Sequence, residues 1–359
     1  MNRTILFTSG LIIIWIVGYF LVIGSHVLIP LVIAVFIWFL LNTISNIIQR
    51  IPAIPNWLSM ICAFAILGVS LLIFINIITN NVTNVIAASN RYQENLLTIF
   101  SNIDQKFHIQ ILASMNNMLK GLNFQTIFTS VYGVFTTLTS STVLILLYVA
   151  FLFVEQHFFL KKIDALFPSL ESRLLVNNII SHIANNMQTY LGIKSILSII
   201  TALSSWIIMK WVKLDFAEFW ALLIFFLNFI PNIGAIIAIA FPATLALVQF
   251  ASWIPFTEII LGLGIIQFIV GNLIEPRFLS NSLNLSPLVI LIALAVWGAI
   301  WGVLGMFLSV PITVMMMIIF AHFEKTRPIA ILLSQDGDVF KTYELLPANN
   351  LPEQDWTQF

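Results

Sequence analysis

Three stretches of this sequence set polar or charged side chains among helix-breaking residues inside apolar surroundings. The first is Leu227-Asn228-Phe229-Ile230-Pro231-Asn232-Ile233-Gly234, in the middle of a window, 219–257, that lacks Asp, Glu, Lys and Arg. Pro231 removes a backbone donor and crowds the preceding turn, and Gly234 permits a tight bend. Asn228 and Asn232 supply amide donors and acceptors one helical turn apart. The pattern is either a discontinuous helix or re-entrant hairpin with amides facing a polar cavity, or a kinked helix whose amides satisfy its own loosened backbone. The second stretch, Trp297-Gly298-Ala299-Ile300-Trp301-Gly302-Val303-Leu304-Gly305, precedes Ser309 and Pro311. Gly298 and Gly302 have the spacing that lets helices approach closely, and the same glycines could break the helix. The third, Gly271-Asn272-Leu273-Ile274-Glu275-Pro276-Arg277, brackets a proline with opposite charges. At a membrane boundary Glu275 and Arg277 would cap a helix end. Turned into a helix bundle, Glu275 would be a costly intramembrane carboxylate suited to proton or cation coupling. Gln267 and Asn272, about 1.4 turns apart, are read as lining the same face.

Other chemistry is missing. No GxxxxGK[ST] phosphate loop, HExxH or GxGxxG motif occurs, and His26, His108, His157, His182 and His322 have no ligand spacing. The one cysteine, Cys62, lies in an apolar run and forms no internal disulfide. No nucleophile and base can be paired, so no enzyme, cofactor or metal is expected. With 15 Lys+Arg against 15 Asp+Glu, the chain lacks the basic surplus of a nucleic-acid binder. Transport sites commonly form where a spanning helix is interrupted, because freed backbone groups and helix ends then face solute or ions.

The elements that would position these residues follow from composition. Of 359 residues, 60% are hydrophobic and 8% charged, and the mean hydropathy is +1.02. A soluble domain carries about 25% charged residues, so the chain reads as an integral membrane protein. Its long unbroken apolar runs exclude a transmembrane barrel. One helical crossing needs about 20 apolar residues. Charge-free windows at 4–49, 51–90, 121–154, 219–257 and 278–323 divide into expected spans at 5–23, 31–48, 57–79, 138–158, 190–210, 219–250, 256–274 and 286–320. The fold expected is therefore all-α, with about eight transmembrane helices and broken or re-entrant segments near 228–236 and 297–305. The first apolar stretch is longer than a signal-peptide core, so no cleaved leader is expected. With Arg3 inside, basic residues divide eight inside to six outside, which puts both termini in the cytoplasm. Residues 80–137 hold an amphipathic extramembrane helix that could lie on the membrane, pack on the protein or meet a partner. Residues 169–190 form a second amphipathic segment, capped by Ser169 and running into the fifth span. The divisions are an N-terminal hairpin at 1–50, a third span plus amphipathic region at 51–137, a transporter core at 138–330 and a polar tail at 331–359.

The segments 222–247 and 271–312 resemble the autoinducer-2 exporter family of membrane transporters. The resemblance is carried by Asn228, Pro231, Asn232, Gly234, Pro242, Glu275, Pro276, Arg277, Pro287, Gly302, Gly305 and Pro311. Looser similarity extends from about residue 140 to 320. The chain departs from the family in having Ala235 where a proline often follows the motif glycine, and Ser280 and Asn284 in place of glycines. The resemblance implies a bacterial inner-membrane permease and a homo-oligomer, with a pentamer as the suggested form. On this reading the chain exports a small polar metabolite such as the quorum-sensing signal autoinducer-2. The pathway would then comprise Asn228, Pro231, Asn232, Gly234, Gly298, Gly302 and Gly305. Two readings stay open beside it: a sodium/proton antiporter with Glu275, Arg277, Gln267 and Asn272 at the coupling site, and a non-transporting scaffold that offers the 80–120 helix to a partner.

Overall fold

The computed structural model describes residues 3–51, 54–107, 133, 141–167, 169–279 and 284–339. The helices are α1 (Arg3–Ile23), α2 (Ser25–Gln49), α3 (Asn56–Phe107), α4 (Thr142–Leu166), α5 (Leu170–Trp211), α6 (Ala217–Leu227), α7 (Ile233–Phe250), α8 (Trp253–Phe268), α9 (Glu275–Leu279), α10 (Pro287–Ala321) and α11 (Arg327–Leu333). A π-helical turn, Ile269–Ile274, joins α8 to α9. Among the described residues no sheet forms, and seven helical segments are long and apolar enough to cross a membrane. These correspond to the second through eighth expected spans; the first forms α1. Most of the expected amphipathic region beyond Phe107, Ser280 and the tail from residue 340 lie outside the described residues.

The fifth span and the amphipathic segment before it are one 42-residue helix, α5. Ser169 starts it, its hydroxyl oxygen accepting from the Ser172 backbone N–H at 3.3 Å. The third span likewise continues without a break into the amphipathic region as the 52-residue α3.

The chain divides into two compact units. The first comprises Met1–Phe64, Ser141–Gly192 and Leu279–Phe359; the second comprises Ala65–Ser140 and Ile193–Phe278. In the first, α2 and α4 pack side by side, and Trp38 Nε1 donates to Gln156 Oε1 at 2.9 Å. The Ser45 and Ser59 hydroxyls meet at 3.0 Å, and Gln49 Nε2 donates to Ser59 at the same distance, so the polar groups at the end of α2 are satisfied where they are buried.

The eighth expected span is not one straight crossing. Gly302, with φ 64° and ψ −143°, breaks α10 in a backbone region that residues with a Cβ rarely enter. A straight 35-residue helix would hold its ends about 52 Å apart. Yet the Ser286 N–H donates to the Leu333 carbonyl at 3.0 Å, and Gln335 N–H donates to the Asn284 carbonyl at 3.1 Å. The twelve residues from His322 to Leu333 could reach only about 43 Å fully extended, so the helix must fold back. Gly305 shows how tightly: a Cβ there would lie 1.9 Å from the Trp297 carbonyl oxygen. Trp301 fixes the returning bend to α1, its Nε1 donating to the Leu21 carbonyl at 3.0 Å. Gly298 and Gly302 are therefore separated by the bend and do not form one continuous face for a neighbouring helix.

The second unit repeats this device with different residues. The sixth expected span is two helices, α6 and α7, folded back on each other. A Cβ at Gly234 would lie 1.8 Å from the Leu227 carbonyl oxygen. The far ends also meet: the Asp215 N–H donates to Gln249 Oε1 at 2.7 Å, and Gln249 Nε2 donates to the Lys213 carbonyl at 2.9 Å. α7 alone is long enough to cross a membrane. Its last turn nevertheless returns to the loop where α6 begins. The α3 extension docks on the same loop. Tyr92 OH donates to Asp215 Oδ2 at 2.8 Å, Arg91 pairs with the same carboxylate, and Asn95 Nδ2 donates to the Gln249 carbonyl at 3.0 Å. Burial and the neighbouring Asp215 carboxylate push the Tyr92 phenol above its ordinary value, which keeps it a hydrogen-bond donor. This part of the amphipathic helix thus packs on the protein itself.

Candidate functional site

The chemistry of the second unit gathers on one stripe of α5. Lys194, Ser198, Thr201 and Ser205 follow one another at steps of four, three and four residues, so they share a helix face. All are buried: Lys194 is 3% exposed and the other three 0%. At 1.5 Å per residue the stripe is about 16 Å long. In an apolar helix each member must find a partner, and these partners identify the site.

Lys194 is paired with Glu275, the first residue of α9. Glu275 therefore points into the unit and does not cap a helix end with Arg277, which is exposed. The π-helical turn directly before Glu275 widens the backbone there; such turns frequently mark functional positions. One turn along α5, Ser198 accepts from Asn228 Nδ2 at 3.1 Å, and this bond brings the tip of the α6–α7 hairpin onto the stripe. Thr201 Oγ1 donates back to the Leu197 carbonyl at 2.8 Å. Farther on, Ser205 Oγ is buried without a hydrogen-bond partner among the described residues. Gln267 of α8 is also buried, and its Nε2 lacks a partner in the same sense. Native interiors rarely tolerate such groups unless a water or ligand serves them.

The hairpin tip presents its two asparagines differently. Asn228, 8% exposed, follows the last residue of α6 and faces inward. Asn232 is exposed and has φ 59° and ψ −55°. The Ile233 N–H reaches the Pro231 carbonyl at 2.6 Å, closing a γ-turn of the rare, strained kind at Asn232. The expectation that the two amides lie one helical turn apart fails because the helix ends at Leu227. Gln267 and Asn272 do not share a face either: the first is buried, the second exposed. Their 1.4 turns leave roughly 140° between them, more than one face covers.

Ser198, Thr201 and Ser205 were not singled out from the sequence. Serine and threonine inside an apolar helix commonly satisfy their own backbone, which hides them. The available signal was the spacing itself, a Lys and three hydroxyls in phase along Leu191–Trp211.

Long apolar helices, two helices folded back on themselves and a buried polar stripe at one hairpin tip define a class, the multi-pass membrane transporters. The chain belongs to the AI-2E transporter family: the description "AI-2E family transporter" matches it over residues 11–325. It is 27% identical over 347 residues to the AI-2 transport protein TqsA of Escherichia coli, covering 93% of this chain and 98% of that one. It is 28% identical over 346 residues to a Haemophilus influenzae protein provisionally assigned to transport, covering 94% and 97% of the two chains. A Borreliella burgdorferi protein with the same provisional assignment is 29% identical over 298 residues, or 81% of this chain and 80% of that one. The family is one of transport proteins and not of enzymes.

Proposed function

We propose that the protein is a secondary transporter that exports a small polar metabolite, such as autoinducer-2, across a bacterial inner membrane. The observation that carries the reading is Asn228, a neutral amide buried at the tip of a folded-back hairpin and bonded to a buried hydroxyl. Neutral amides and hydroxyls suit a hydroxyl-rich solute because they offer donors and acceptors without a stranded charge. The absence of a phosphate loop leaves an ion gradient, or passive flow, as the driving force. TqsA is named for AI-2 transport, which makes that signal the first solute to test.

The folded-back helices also sharpen the proposed orientation. If the Ala217–Phe250 and Pro287–Ala321 hairpins each leave the membrane on the side they enter, six crossings remain, and both termini stay cytoplasmic. Arg277 then moves to the cytoplasmic side. Nine basic residues lie inside (Arg3, Arg50, Lys161, Lys162, Arg173, Arg277, Lys325, Arg327 and Lys341) against five outside, a stronger bias than eight to six.

The test is release of autoinducer-2 from loaded proteoliposomes of the purified protein under imposed pH and sodium gradients. Wild-type protein should release the signal. Asn228→Ala strands the Ser198 contact and should slow release about tenfold, the effect of losing a buried hydrogen bond worth about 1–3 kcal/mol. Asn232→Ala should slow it too, through the hairpin turn. Release unchanged in both variants would move the pathway elsewhere, and no release from wild type would reject autoinducer-2.

A further inference from the structure

We infer that the solute binds between α5 and α8, at Ser205 and Gln267, and that this site takes a small uncharged polyol. The inference rests on the transporter reading above and names the solute class and the side chains that hold it. Ser205 is 0% exposed and Gln267 7%. Neither Ser205 Oγ nor Gln267 Nε2 has a hydrogen-bond partner among the described residues. A polar group left unserved in an interior is costly, and two of them in one unit mark a place where something polar is bound.

The register of the two helices brings these groups to one level. A Cβ on Gly262 of α8 would lie 2.9 Å from Ile208 Cγ2 of α5, and farther along Glu275 meets Lys194, so the helices run antiparallel between the two contacts. Gln267 lies five residues past Gly262, about 7.5 Å along α8. Ser205 and Thr201 lie three and seven residues before Ile208, about 4.5 and 10.5 Å along α5. Gln267 is therefore level with the interval between them. Beside it Gly264 is half-buried, with nothing within 4 Å of where a Cβ would lie, so space opens next to the amide. The Gln267 amide nitrogen needs an acceptor, and the Ser205 hydroxyl can both donate and accept. Neighbouring hydroxyls of a polyol answer both. Charge is not answered. Along α5 the nearest charges are Lys194, about 16 Å away and paired with Glu275, and Lys210, exposed and paired with Glu218. A carboxylate or phosphate brought to this level would be stranded.

The experiment measures binding of D-ribose, a neutral polyol, and of D-ribonate, its carboxylate counterpart, by calorimetry on the full chain in lipid nanodiscs. Wild-type protein should bind D-ribose, and D-ribonate at least about tenfold more weakly. Ser205→Ala and Gln267→Leu should each weaken D-ribose binding about tenfold, the loss of one hydrogen bond. Both variants remove a buried polar group that nothing serves in the empty protein. Each should therefore unfold at or above the wild-type temperature in detergent, which separates lost binding from lost fold. No binding of D-ribose, equal binding of D-ribonate, or wild-type affinity in the two variants would overturn the assignment and leave the two groups to water. Autoinducer-2 release from parallel vesicles separates the two ideas. Release that persists without D-ribose binding rejects this site and spares the transporter reading. D-ribose binding that depends on Ser205 and Gln267, with no release of autoinducer-2, keeps the site and rejects that signal as its solute.

Discussion

Gly305→Ala and Gly234→Ala should each prevent their hairpin from closing. A methyl at Gly305 would sit 1.9 Å from the Trp297 carbonyl oxygen and 3.0 Å from Trp301 Cβ; at Gly234 it would sit 1.8 Å from the Leu227 carbonyl oxygen. The obstacle is backbone in both cases, so no side-chain rotation relieves it. Shifting one arm would break the contacts that close the hairpin base, Asp215 with Gln249 in one case and Ser286 with Leu333 in the other. The expected cost is above about 4 kcal/mol, the range of severe single substitutions. Gly264→Ala and Gly271→Ala are the controls, since nothing lies within 4 Å of a Cβ at either position. Thermal unfolding in detergent should show the hairpin variants unfolded or strongly destabilised and the controls near wild type. If all four behave alike, the helices are kinked and not folded back.

The second large effect concerns the ion pair. Glu275→Gln strands the buried Lys194 ammonium, and breaking such a pair from one side costs about 3–5 kcal/mol. The side chain of Glu275 is 24% exposed, which places the effect toward the lower end. Lys194→Met alone leaves the carboxylate unpaired and should be milder, because Glu275 can be partly hydrated. The double variant Lys194→Met/Glu275→Gln removes both charges and should recover most of the loss. A thermal-stability cycle in detergent measures this directly. Additive losses in the double variant would mean that the two side chains do not interact.

Several features of this architecture were legible in the sequence for physical reasons. Apolar run length located the helices, because a bilayer demands internally satisfied backbone. Pro231 with Gly234, and Gly302 with Gly305, marked the interruptions. Reversal was one of the readings open at the breaks, and the choice between it and a kink was not legible. Whether a break kinks a helix or folds it back depends on the close approach of Gly234 to the Leu227 carbonyl and of Gly305 to the Trp297 carbonyl. Those contacts need the hairpin bases, Gln249 with Asp215 and Ser286 with Leu333, and no local pattern encodes them. The Lys194–Glu275 pair spans 81 positions, so it depends on the register of α5 against α9, which helical periodicity leaves open. Asn228 stands at the break, and its partner Ser198 lies 30 positions away on another helix. Asn232 differs from it in exposure and in its own positive φ, which turns the backbone at that residue.

If Asn228 stands on the solute path, the buried polar stripe of α5 that it meets must be reachable by water. The most direct test is thiol accessibility at Ser205, a 0% exposed position whose hydroxyl has no hydrogen-bond partner among the described residues. Cys62 is replaced by serine, Ser205→Cys is introduced, and the purified protein in proteoliposomes is treated with a small charged, water-soluble thiol reagent. Ala246→Cys, at a 0% exposed apolar position on α7, is the reference. The account predicts that the cysteine at 205 is modified, that saturating autoinducer-2 slows its modification, and that the cysteine at 246 stays unmodified. Equal protection of both positions, with and without the solute, would show the stripe to be packed interior and contradict the account.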